Sequence, residues 1–267
     1  MGITREPKVV FLTGAGLSAD SGLPTYRGEG GIYHGRRIEE FLTPETLRND
    51  PETLHSIVDD LRVSLRNVEP NAAHMMIARL ECLYGRNRVL VFTQNVDDLL
   101  SRAGVAEPFH LHGVLRRMRS IGNSKIVEDI GYTRYWEGDP SLAPARGFRF
   151  RCPKTGSHFR PDVVLFNEIA KEYSRLYRAL RSLRRDDIFV VIGTNGDILP
   201  VAAYASAAPC MTVLNNLHES DHIDESVFDA VLRDRAAVVA EEVERLVVDR
   251  LGVPGPASRC HSAGVAT

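Results

Sequence analysis

The stretch from Val9 to Gly28 constrains this chain more than any other. Val9-Val10-Phe11-Leu12-Thr13 is an unbroken apolar run of the kind that forms a strand buried on both faces. It ends on Gly14-Ala15-Gly16, and a helix start follows at once. Gly14-x-Gly16-x-x-Ala19 fits the glycine fingerprint of dinucleotide-binding folds. In that fingerprint the first glycine permits a tight turn and the second lets backbone approach a pyrophosphate. The small third residue lets helix and strand pack closely. Gly-x-Gly turns also join strands to helices with no ligand involved, so the loop alone leaves both readings open. The continuation Ser21-Gly22-Leu23-Pro24-Thr25-Tyr26-Arg27-Gly28 is less ordinary, because it sets a helix-breaking proline, an aromatic and an arginine directly beyond the turn.

Further apolar runs at 88–93, 187–193 and 211–214 read as buried parallel strands, with 162–166 and 236–239 as further strand candidates. Helical patterns at 70–83, 168–184 and beyond 239 alternate with them. This order predicts an α/β fold around a Rossmann-like parallel sheet. Two regions fit that sheet poorly and read as insertions forming a second, smaller helical and irregular lobe. The expected division is 1–32, 76–113 and 161–251 for the large, Rossmann-like domain, and 33–75 with 114–160 for the small lobe. The tail 252–267, small, polar and rich in Pro and Gly, reads as disordered.

The chain has 267 residues, 43% hydrophobic and 25% charged, so it can bury a sizeable core. A net charge of -2 argues against a general nucleic-acid binder. No apolar stretch approaches the ~18 residues of a membrane span, and no secretory leader is evident, so no membrane association and a cytoplasmic location are expected. Cys82, Cys152, Cys210 and Cys260 are widely spaced and read as free thiols rather than a disulfide framework or zinc site.

Polar residues follow the predicted strands where ligands bind in open α/β sheets. Gln94, Asn95 and Asp97 lie beyond the strand at 88–93; a cofactor contact and a helix cap account for them equally well. His110-Leu111-His112-Gly113 places two imidazoles on one side of an extended segment. They are packed or surface residues, metal ligands with Asp97 or Asp98, or, for an imidazole near a ribose, a general base. Gly193-Thr194-Asn195-Gly196-Asp197 and Asn215-Asn216 follow two more strands and suit phosphate or ribose contacts, though either can be an ordinary turn.

Taken together these residues resemble the sirtuin (Sir2-like) family of NAD-dependent protein deacylases, in its bacterial, class III-like branch. The resemblance rests on Gly14-Ala15-Gly16-x-Ser18-x-x-Ser21-Gly22-x-Pro24-Thr25-Tyr26-Arg27-Gly28, Pro70-Asn71-x-x-His74, Gln94-Asn95-x-Asp97, Leu111-His112-Gly113, Val164-x-Phe166-x-Glu168, Gly193-Thr194 and Asn216, in family order across ~230 residues. It implies NAD as cofactor and an acylated protein lysine as substrate, with nicotinamide and O-acyl-ADP-ribose released. By resemblance His112 is the general base and Asn95 its catalytic companion. Gly14, Ala15, Gly16, Ser18, Tyr26, Arg27, Gln94, Asn95, Asp97, Gly193, Thr194, Asn195 and Asn216 hold the cofactor. Val163, Val164, Leu165, Phe166, Asn167 and Glu168 pair with the substrate backbone.

The chain departs from the family pattern in three places. It has only Cys152 between His112 and Glu168, where the family carries two Cys-x-x-Cys pairs, so no metal is expected. Packing around Tyr132, Tyr135, Trp136, Phe148 and Phe150 is expected to hold the small lobe instead. The positions of the Tyr-x-x-Arg pair that reads acidic acyl groups fall on Val58 and Leu61, which suit acetyl or longer fatty acyl chains. Asn167 stands where glycine is usual and is expected to crowd the substrate strand. Two other functions stay open: cleavage of NAD without a lysine substrate, by a glycohydrolase or ADP-ribosyltransferase, and a non-catalytic NAD or ADP-ribose sensor.

Overall fold

In the computed structural model, which describes residues 5–24, 32–33, 36–135 and 154–253, the apolar run becomes β1 (Val9–Thr13), every residue of it buried. α1 (Gly16–Ala19) is a single turn. A short antiparallel pair, β2 (Ile32–Tyr33) and β3 (Arg36–Arg37), leads to α2 (Pro44–Asn49) and α3 (Pro51–Ser64). Both of these helices open on proline. The side chains of Thr43 and Asp50 cap them by accepting the amides of Thr46 and Thr53. α4 (Ala72–Tyr84) is capped by Asn71 and followed by β4 (Val89–Thr93), α5 (Leu99–Ala103) and β5 (Phe109–His110). Then come β6 (Gly113–Ser120), β7 (Val127–Asp129) and β8 (Phe159–Val163). The chain returns through α6 (Tyr173–Arg181), β9 (Ile188–Ile192), α7 (Val201–Ala207), β10 (Met211–Asn215), β11 (Ala230–Leu232) and α8 (Ala240–Leu251).

Six strands form one wholly parallel sheet in the order β11-β10-β9-β1-β4-β5. Alternate residues of β1 explain why its sequence shows no polar face. Val9 and Phe11 pack with α4 and α8, while Val10 and Leu12 pack with α6 and α7. Helices therefore cover both sides. A third core joins Leu54, Ile57 and Val58 of α3 to Leu115 of β6 and Val163 of β8. A fourth gathers Met118, Tyr135 and Phe159, with Tyr132 packed against the third. The expected small-lobe aromatics Trp136, Phe148 and Phe150 lie outside the described residues, as do Tyr26, Arg27 and the tail beyond 253.

Four expectations are corrected. The 162–166 candidate does not join the parallel sheet; β8 pairs antiparallel with β6 in a three-stranded sheet β7-β6-β8, so the second lobe is not merely helical and irregular. A short apolar run says that a segment is buried, not which neighbour buries it. The 236–239 candidate is a turn into α8, and the edge strand is Ala230–Leu232, too short and polar-flanked to stand out. The helix expected at 168–184 spans only Tyr173–Arg181. Cys82 is disulfide-bonded rather than free, whereas Cys210 is a buried free thiol. Among the described residues no helix is long and apolar enough to cross a membrane.

Candidate active site

The strands of the main sheet end level. Thr13 stands opposite both Thr93 and Ile192, and Asn215 opposite both Ile192 and Leu232. Hydrogen bonds continue one residue past each end: Gln94 N donates to Thr13 O (2.9 Å), Gly14 N to Ile192 O (2.9 Å) and Gly193 N to Asn215 O (2.8 Å). Four loops are thereby laid side by side where the chain leaves β1 in opposite directions, the position at which open α/β sheets bind ligands. A cavity of about 870 Å³ covers them. Gly14, Ala15 and Gly16 line it, with Gln94, Asn95, His112, Gly193, Thr194, Asn195 and Asn216.

The glycines are required by close packing between loops. A Cβ on Gly14 would lie 2.6 Å from Gly193 O, and one on Gly16 2.6 Å from Gly193 Cα. Gly193 itself has φ +65°. The amide of Gly16 donates to Gly193 O (2.8 Å). Gly16 is thus demanded by the neighbouring loop. With α1 only one turn long, the fingerprint does not lead into a long dipolar helix. The floor still fits a dinucleotide, because its exposed groups are backbone and neutral amides or hydroxyls with no carboxylate among the floor residues just named.

Beneath the floor is a closed polar cluster. Ser18 Oγ donates to Asp97 Oδ2 (2.8 Å) and accepts from Asn95 Nδ2 (3.0 Å). His74 Nε2 lies 3.3 Å away. The backbone N–H of Asn71 can only donate, so His74 Nδ1 accepts it (3.3 Å) and the ring proton sits on Nε2, aimed at Ser18. Burial lowers His74 to about 4, so this donor tautomer persists at neutral pH. Burial also raises the Asp97 carboxyl, partly offset by the amide of Leu99 and the hydroxyl of Ser18. Ser18 and Asp97 line a smaller side pocket that shares Asn95 with the main cavity. Of this cluster the sequence flagged Ser18, Asn95 and Asp97 as site residues but counted His74 only as part of a helix start.

His112 is arranged oppositely. Its Nδ1 lies 2.9 Å from Gln94 O, a pure acceptor, so the proton is on Nδ1 and Nε2 carries the lone pair. Burial lowers its pKa, keeping the ring neutral. Nε2 faces the hydroxyl of Tyr173 at 2.7 Å, a partner that sequence reasoning missed because Tyr173 reads as one residue of an amphipathic helix. His110 Nδ1 binds Asn95 O (3.1 Å). Among the described residues no group of three or more His, Cys, Asp or Glu could hold a metal.

The far wall is apolar. Val58 and Leu61 of α3 line it beside Leu42, Leu115, Val163 and Leu165. Arg62, next in sequence, is fully buried and turned away: it binds Leu115 O (2.6 Å) and Thr133 O (3.2 Å) and pairs with Asp59. The segment Val164 to Glu168 lines the cavity as well. Its amides are partly engaged, Val164 N with His112 O (2.8 Å) and Phe166 N with Leu42 O (2.9 Å). Glu168 grips Arg160 (2.5 and 3.0 Å) and the amide of Leu165 (2.9 Å), which pulls its carboxyl below the usual range against the effect of burial. Asn167 has φ 70°, the sole non-glycine left-handed residue among those described. Asparagine is one of the few side chains that tolerate this conformation, which explains both the glycine expected there and its replacement.

A parallel sheet with a glycine-built cleft at its switch point and an imidazole whose Nε2 is an acceptor inside it defines a class: a Rossmann-like nucleotide-binding enzyme. Comparison with known proteins narrows it. The Sir2 family matches residues 14–200, and the chain belongs to that family. It is 35% identical over 246 residues to the NAD-dependent protein deacylase of Yersinia pseudotuberculosis serotype I (strain IP32953), covering 90% of this chain and 82% of that protein. It is 38% identical over 224 residues to the NAD-dependent protein deacylase of Campylobacter jejuni (strain RM1221), covering 84% and 88%. A Sir2 homolog solved as an NAD complex superposes with a TM-score of 0.74 at 32% identity, covering 92% of this chain and 91% of that one.

Proposed function

We propose that this chain is an NAD-dependent protein deacylase in which NAD lies across the level strand ends, His112 is the general base, and the acylated lysine enters along the Val164–Glu168 segment. The observation that carries the reading is the tautomer of His112: its Nδ1 proton is held by Gln94 O, which leaves Nε2 as an acceptor inside the cavity. When bound, NAD supplies a sugar carbon that can release nicotinamide and neighbouring hydroxyls that can give up a proton. His112 accepts that proton at Nε2, and the Gln94 carbonyl steadies the imidazolium that results. Asn95 is held in place through Ser18, so its remaining amide atoms keep a fixed aim. The apolar wall keeps water from the reacting atoms.

The same wall sets the acyl class. Val58 and Leu61 offer no cation, and Arg62 is locked to Asp59. The pocket therefore suits acetyl or longer aliphatic acyl groups and disfavours succinyl or malonyl groups, whose carboxylate would be buried unpaired.

The test is incubation of the full chain with NAD and peptides carrying an acyl series on lysine. Nicotinamide release that depends on the peptide, with O-acyl-ADP-ribose formed, is expected, fastest on aliphatic acyls. Peptide-independent nicotinamide release would instead make the chain a glycohydrolase, and NAD binding without turnover a sensor. Preference for succinyl peptides would overturn the pocket assignment alone.

A further inference from the structure

His112 Nε2 has one lone pair in the plane of its ring. Because Nδ1 holds the proton, the contact of 2.7 Å with Tyr173 is a hydrogen bond in which the tyrosine donates. Burial pushes the Tyr173 hydroxyl up to about 12, so it stays protonated. A sugar hydroxyl that is to lose its proton to His112 must donate to the same lone pair, and the two donors exclude one another.

Tyr173 is placed to yield. It is the first residue of α6, where the helix meets the cavity-lining segment around Glu168, and it lines the cavity itself. Its ring meets that of Tyr177 edge-on at 6.3 Å, and Tyr177 meets Tyr204 at 6.0 Å. Tyr177 is 43% exposed. A ring leaving His112 thus has an aromatic surface alongside it, at the rim of the cleft.

We propose that Tyr173 is a positioning residue that occupies the working lone pair of His112 and is displaced from it by the sugar hydroxyl when the nucleotide binds. Before loading it orients the imidazole and satisfies its buried nitrogen. That bond has to be given up on binding, so Tyr173 lowers nucleotide affinity while keeping the base aligned. The inference rests on the NAD reading above.

The test is Tyr173→Phe in the full chain, with ADP-ribose as the calorimetric probe. Loss of one hydrogen bond that binding must break is expected to tighten Kd about two- to tenfold and to lower KM for NAD by a similar factor, with the effect on kcat smaller. In ¹⁵N-histidine NMR, ADP-ribose should move the His112 Nε2 resonance little in the wild type, where one donor replaces another. It should move it strongly in Tyr173→Phe, where a bare nitrogen gains a donor. A merely structural tyrosine would not reverse that pattern. Unchanged or weaker ADP-ribose binding by the variant, or a fall in kcat at constant KM, would overturn the proposal. Failure of the wild type to bind ADP-ribose would bring down the NAD reading, and this one with it.

Discussion

Two histidines a few residues from the same floor are held in opposite states by a single backbone atom each. His74, in the closed cluster under the floor, receives an N–H from Asn71 on Nδ1 and so points a proton at Ser18. His112, in the open cleft, gives its Nδ1 proton to Gln94 O and so presents a lone pair. Burial depresses both pKa values. The side chain is the same; the partner on Nδ1 decides which ring can be a base and which can only donate. The cluster under the floor has its hydrogen bonds matched within the protein, whereas the partner of His112 is exchangeable.

This contrast can be broken most severely at the base. His112→Ala is expected to lower turnover on an acylated peptide by about 10²–10⁴-fold while ADP-ribose still binds by calorimetry; retention of turnover would mean that another group is the base. The closed cluster is expected to show itself in stability instead. His74 is neutral when folded, near pKa 4, against an ordinary value of 6.5 in the unfolded chain. Its contribution is complete above pH 6.5 and is lost as pH falls towards 4, since only the unfolded state gains a proton in that window. The loss over the whole window is about 3 kcal/mol. Urea unfolding at pH 7 and pH 4.5 should therefore separate wild type from His74→Gln, the variant having the shallower pH dependence. Next in size is the acid limb of kcat/KM, which should fall below pH 6.5 because burial holds His112 neutral there; a limb above 6.5 would contradict the burial. The smallest effect is expected at the rim, where Asn167→Val should destabilise by about 1–2 kcal/mol through its left-handed backbone and Asn167→Gly should not.

The legible part of the molecule was what local pattern encodes. The strands at β1, β4, β9 and β10 and the loops behind them stood out because apolar runs ended by glycine or amide residues are the mark of strands buried on both faces. What the pattern hid were pairings between distant segments. Val163 belongs to a second sheet because β6 lies beside it, and nothing in 162–166 encodes β6. Gly16 reads as a phosphate glycine, and nothing near it in sequence shows that it also packs against Gly193, 177 residues on by the numbering. Tyr173 was invisible because its partner, His112, is 61 residues away. Asn167 shows a different gap: no local pattern announces the left-handed backbone at this position, which asparagine is one of the few side chains to tolerate.

The level finish of β1, β4, β9 and β10 has one further implication. The base of the cleft is a terrace of peptide groups locked into a common ladder, while recognition is assigned to side chains standing on separate turns. Residues on those turns can be exchanged one at a time without tilting the terrace. The fold can thus retune what it accepts by point substitution, whereas inserting a single residue into any one of these strands would throw all the adjoining turns out of step together.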